Sequence, residues 1–222
     1  MGILYFVRHG QASFGADNYD QLSPLGERQS LQLGRYFAAK GLMFDAIHTG
    51  TLLRHEQTLA GINTGMGSSQ PVKQWQGLNE YDPEAVIAAV HPLPLDKTGG
   101  REAYLQHFKL LRSGLMQWML GSTQPKGMPS WSDFTQGVLE VLDQIRDSGH
   151  ERVLVITSGG PIACALGQVL ATPPEATVEL NMRLRNSSVT ELSFSSKRFS
   201  LQTYNTLSHL DTAEFADWVT YA

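Results

Sequence analysis

The sequence predicts an α/β protein, a three-layer α/β/α sandwich around a mostly parallel central sheet. Three observations carry that expectation. Short β-branched or aromatic runs at residues 3–7, 44–48, 72–75 and 153–157 alternate with helix-length segments, the order that βαβ units produce. The first run stops abruptly at Arg8-His9-Gly10-Gln11, which puts a cation and an imidazole at a strand's carboxyl end, where open α/β sheets place their chemistry. The chain's 222 residues are enough for one α/β domain, and its single cysteine excludes an internal disulfide.

Taken in order, the elements justify themselves locally. A first helix begins with Ser23 as N-cap, Pro24 at the first helical position and Glu27 in the first turn, and Gly41 can end it. Leu25, Leu33 and Phe37 share its apolar face. The second strand runs through Ile47-His48-Thr49-Gly50 into a second helix near Arg54, and Leu78-Asn79-Glu80 follows the third strand. From residue 81 to about 132 the pattern changes. Pro83, Pro92, Pro94, Gly99 and Gly100 punctuate the first part, residues 101–120 read as one helix, and Pro125, Gly127 and Pro129 break the chain again. The region is expected to be an inserted cap over the sheet's active edge within a single 1–222 domain, without a core of its own. Its Leu105, Phe108, Leu111, Leu115 and Trp118 form a packing stripe. A helix from about 132 to 147 leads to the fourth strand, then Ser158-Gly159-Gly160-Pro161 and a helix over 162–170, where Cys164 is expected as a buried, inert thiol. Pro173-Pro174 interrupts before a further helix over 176–184, and residues 189–194 and 199–204 close the chain as a hairpin.

A net charge of −4 provides no basic footprint for nucleic acid or an anionic membrane. The apolar start is too short for a signal peptide, and no run reaches the length of a membrane span, so a cytoplasmic protein is expected. Phe215 and Trp218 in the last stretch leave two uses open, sealing a homodimer or closing the core.

In order and approximate spacing, Arg8-His9-Gly10, Leu22 to Gln29, Ile47 to Arg54, Leu78-Asn79-Glu80 and the turn after the fourth strand resemble the histidine phosphatase superfamily, the phosphoglycerate mutase-like proteins. The resemblance spans most of the chain and thins between about residues 83 and 131. It implies a phosphoryl-transfer site, which needs fixed donors around the equatorial oxygens and an in-line nucleophile. Arg8 and Arg54 suit the first demand, because guanidinium groups stay charged and fork onto phosphate. The resemblance makes His9 the nucleophile, carrying the phosphoryl group as phosphohistidine, with its other ring nitrogen bonded to the Gly10 carbonyl. It makes Glu80 the general acid, with Asp82 and Glu84 close by as competitors. Gln11, Ser158 and Gly159 complete the expected phosphate-binding set, the Gly159-Gly160 turn offering backbone N–H groups at a helix start.

One element departs from the family. Its second catalytic histidine, placed by the resemblance in a Ser-His-Gly-Gly-like turn, is Ser158 here. Serine keeps a donor and loses the charge, an expected attenuation of about 10² to 10³ in turnover. His55, beside Arg54, is the nearest histidine that could fill the gap, but neighbouring helical side chains diverge by about 100°, so a place on the helix surface is expected instead. The expected activity is hydrolysis of a small phosphate monoester or phosphoprotein by a cofactor-independent phosphatase that uses no metal. A catalytically silent binder of a phospho-ligand or protein partner is the alternative. A phosphoglycerate-type mutase is disfavoured, because residues 81–131 carry no paired arginines.

Overall fold

A computed structural model describes residues 1–13, 20–93 and 100–221. Strands β1 (Gly2–Arg8), β2 (Ala46–Thr49), β3 (Val72–Gln74), β4 (Arg152–Thr157), β5 (Val189–Phe194) and β6 (Phe199–Thr206) form one sheet in the order β3-β2-β4-β1-β5-β6. The pairs β3–β2, β2–β4 and β4–β1 are parallel, whereas β1–β5 and β5–β6 are antiparallel. The terminal hairpin thus extends the parallel part on one side and makes the sheet mixed.

Both faces are covered, and the strands show it by alternation. Leu4 and Phe6 of β1 and Val153 and Val155 of β4 enter one core, while Val7, Leu154 and Ile156 enter the other. Helices α1 (Pro24–Ala39) and α2 (Leu53–Met66) supply Leu33, Phe37, Leu59 and Ile62 to the second core. The first is filled from α3 (Pro83–Ala88), α4 (Gly100–Met119), α5 (Trp131–Asp147), α6 (Gly159–Leu170) and α7 (Pro174–Arg183).

The local signals explain most boundaries. Ser23 Oγ accepts the Gly26 N–H at 3.1 Å, and Gly41, at φ +65°, follows the end of α1. The sequence pattern missed α3, whose six residues start at a proline and are capped by Asp82 accepting the Glu84 and Ala85 N–H groups. In α4 the expected stripe is half right. Leu111, Leu115 and Trp118 are buried, but Leu105 is 57% exposed and Phe108 only partly covered. The expected punctuation at Pro94 and Gly99 lies outside the described residues. Cys164 is buried, and burial pushes its thiol up to about 11. Among the described residues no helix is long and apolar enough to cross a membrane.

Candidate active site

The ends of β1, β4 and β2 lie side by side, and the candidate residues leave the sheet there. Arg8 is in register with Thr157, and the His9 N–H donates to the Thr157 carbonyl at 2.9 Å, which sets His9 next to Ser158. On the other side of β4, the Gly50 N–H donates to the Ile156 carbonyl, so α2 begins beside the same strand end. Thr58 Oγ1, itself donating to the Arg54 carbonyl at 2.7 Å, accepts the Gly10 N–H at 3.1 Å and ties the β1 turn to α2.

His9 is 5% exposed, and its Nδ1 lies 2.7 Å from the Gly10 carbonyl oxygen. A carbonyl only accepts, so Nδ1 carries the proton and Nε2 keeps its lone pair. Burial, and then the charges of Arg54 and Arg8 with His55, hold the imidazole well below its usual titration range. His9 is therefore held in its neutral form.

Arg8 is fixed by the Leu184 carbonyl at 2.5 Å and the Tyr221 carbonyl at 2.7 Å. Arg54 is 7% exposed and pairs with Asp20 at 2.6 Å. The other Asp20 oxygen accepts the Leu53 N–H at 3.0 Å, supplying the cap that Leu52 lacks at the start of α2. Asp20 has no sequence signal beyond being an acidic loop residue, and sequence reasoning missed it.

Glu80 reaches the same place from a 3-10 turn at Gln76–Leu78, anchored where Thr157 Oγ1 donates to the Leu78 carbonyl at 2.5 Å. Its carboxyl group accepts the Gly160 N–H at 3.0 Å and the Tyr81 N–H at 3.3 Å. Burial raises its proton affinity against the opposing pull of Arg54 and Arg8. The competitor Asp82 is engaged in capping α3 instead. The expected phosphate cradle is altered by this arrangement: the Gly160 N–H of the Gly159-Gly160 turn is taken by Glu80. Gln11 is committed as well, its side-chain oxygen accepting from Ser23 Oγ at 2.8 Å.

His55 corrects the sequence reading. It is fully buried, as is Ser158, and its Nε2 lies 2.7 Å from Ser158 Oγ. The divergence of about 100° from Arg54 holds, but it turns His55 inward toward β4 rather than to solvent. The His55 and His9 ring centroids are 5.7 Å apart. No sequence signal links positions 103 residues apart. Among the described residues no three His, Cys, Asp or Glu side chains gather as metal ligands would.

The fold has known counterparts. The chain is 26% identical over 214 residues to a 2,3-bisphosphoglycerate-dependent phosphoglycerate mutase of Nitratidesulfovibrio vulgaris, covering 82% of this chain and 83% of the relative. A phosphoserine phosphatase of Entamoeba histolytica superposes with a TM-score of 0.65 at 19% identity, covering 95% of this chain and all of the other. A mycobacterial glucosyl-3-phosphoglycerate phosphatase superposes with a TM-score of 0.64 at 21% identity, covering 93% and 99%. Residues 4–86 and 102–207 match the family model, a span that runs from β1 through β6 and takes in every side chain of the cluster, so the chain belongs to the histidine phosphatase superfamily, branch 1.

Proposed function

We propose that the protein is a phosphatase that hydrolyses a small phosphate monoester, or a phosphoprotein, through a phosphohistidine on His9 and without a cofactor. The observation that carries this reading is the His9 Nδ1 to Gly10 carbonyl contact of 2.7 Å, which leaves Nε2 as the nucleophilic atom beside two arginines and a buried carboxyl group. In the first step Nε2 attacks phosphorus, the ester P–O bond breaks, and protonated Glu80 delivers its proton to the leaving alkoxide. In the second, the Glu80 carboxylate takes a proton from water as its oxygen attacks phosphorus. The P–N bond breaks and inorganic phosphate leaves. Arg8 and Arg54 offset charge on the equatorial oxygens in both steps. Substrate phosphate competes with Asp20 for Arg54.

Substrate choice is assigned to the cap-like segment over residues 81–132. The relative from Nitratidesulfovibrio favours a second reading, phosphoglycerate mutase activity, which predicts interconversion of 2- and 3-phosphoglycerate primed by 2,3-bisphosphoglycerate. The test is hydrolysis of p-nitrophenyl phosphate over pH 5 to 8, with an acid-labile phosphoenzyme trapped at early times. His9→Ala should abolish both turnover and label, and EDTA should leave turnover unchanged. Turnover that persists in His9→Ala, or that collapses with EDTA, rules out this mechanism. Binding of phosphate esters without turnover in the wild type would instead mark the silent relative.

A further inference from the structure

Ser158 stands at the N-cap position of α6, with the extended backbone (φ −112°, ψ 177°) that a capping serine adopts, yet its side chain makes no cap bond. The two amides that a capping serine ordinarily uses are not on offer here, since N2 is Gly160, whose N–H goes to Glu80, and N3 is Pro161, which has none. Here the hydroxyl turns to His55 Nε2, 2.7 Å away, and both side chains are fully buried. His55 Nδ1 has no hydrogen-bond partner among the described residues and faces Gly50, where a Cβ would come within 2.2 Å of it. The pair also sits beside the nucleophile, with ring centroids of His9 and His55 5.7 Å apart.

Resting on the phosphatase reading above, we propose that His55 and Ser158 act as one donor unit: His55 Nε2–H donates to Ser158 Oγ and thereby directs the hydroxyl hydrogen to the phosphoryl group transferring on His9. Ser158 is the group that touches the phosphoryl oxygens, and His55 is a positioning residue. The tautomer follows from the surroundings. A proton on Nδ1 would point at Gly50 with no acceptor, whereas a proton on Nε2 has Ser158 Oγ in front of it. A hydroxyl that accepts from an imidazole becomes a stronger donor in turn, which is what a phosphoryl oxygen gaining charge requires. Gly50 makes room for the ring, so β2, α2 and the end of β4 all contribute to one device. The other buried imidazole–hydroxyl pair, His209 Nε2 with Ser187 Oγ at 2.9 Å, packs against Tyr36 and provides an internal comparison for what burial alone does.

The test is a double-mutant cycle read in kcat and KM with p-nitrophenyl phosphate. His55→Ala and Ser158→Ala should each lower kcat by about 10²-fold with KM nearly unchanged, and the double variant should be no worse than either single one. His55→Gln, which retains an amide donor near the Nε2 position, should recover most of the loss. His209→Ala should lower the melting temperature and leave kcat in place. Additive losses, an unchanged kcat in His55→Ala, or losses that follow melting temperature across the set would overturn the proposal. Failure of the phosphatase reading shows separately, as absent wild-type turnover or full turnover in His9→Ala. The pair is then read by nitrogen NMR of the imidazoles during titration with orthovanadate. A His55 Nε2 shift that disappears in Ser158→Ala upholds the unit, and an unmoved His55 refutes it.

Discussion

Burial sets the protonation states at the strand ends before any ligand arrives: His9 is held neutral, while Glu80 is held toward its acid form. Glu80→Gln should therefore lower kcat by about 10² to 10⁴ and remove the alkaline limb of the pH profile, since that limb reports loss of the Glu80 proton. Gly160→Ala should mimic it in part. A Cβ there would come 2.2 Å from Glu80 Oε1 and 2.7 Å from the Tyr81 ring, so the carboxyl group must move while the helix remains intact. A fall in kcat without a matching fall in melting temperature is the expected outcome. Asp20→Asn keeps a capping oxygen for α2 and removes the charge that engages Arg54, so inorganic phosphate should inhibit at several-fold lower concentration. Of these residues, Arg8, His9 and Glu80 were legible because each ends a strand, or follows one or its turn, in a recognisable local pattern. Asp20 and the His55–Ser158 contact were not, because they depend on pairings 34 and 103 residues apart that no periodicity encodes.

The elements that carry the site are held by close approach as much as by apolar area. Helices α1 and α2 meet along glycines: a Cβ on Gly34 would stand 2.2 Å from the Ile62 carbonyl oxygen, and one on Gly65 would stand 2.3 Å from that of Leu31. Gly34→Ala should thus force the helices apart and reduce stability by about 1–3 kcal/mol, measured by urea denaturation. It should also reduce turnover, because α2 carries Arg54 and His55. The helix-length segments and the alternating strands were readable from the sequence since both faces of the sheet are buried by regular stripes. Of the short pieces, β3 was readable from its run at 72–75 although its three residues are exposed, whereas α3, six residues beginning at a proline, was not. The α4 stripe was overextended toward Leu105 because helical spacing shows which residues share a face but not how far along the helix that face stays covered.

Across the described residues, three buried histidines besides His9, itself held well below its usual range, make stability depend on pH. Burial lowers His48 to about 4, His55 to about 3 and His209 to about 3. Their folded values lie below the unfolded value of about 6.5, so between these limits the unfolded chain binds more protons and each histidine loses about 1 kcal/mol of stability per pH unit of acidification. Their contribution is full above pH 6.5 and shrinks as pH falls toward 4 or 3, with raised Glu80 acting in the opposite sense. The urea midpoint should fall between pH 7 and pH 5, and a flat profile would contradict these burials. The sheet order has a consequence for how the protein comes into being. The strand that ends at Arg8, just before His9, is synthesised ahead of the other five, yet both of its neighbours, β4 and β5, lie beyond residue 151. Such long-range pairing closes slowly, and the nascent chain emerges at about 5–20 residues per second. His9 must therefore wait until β4 and β5 have been made before its strand has partners, and the assembled site will be among the last features to appear when the chain refolds.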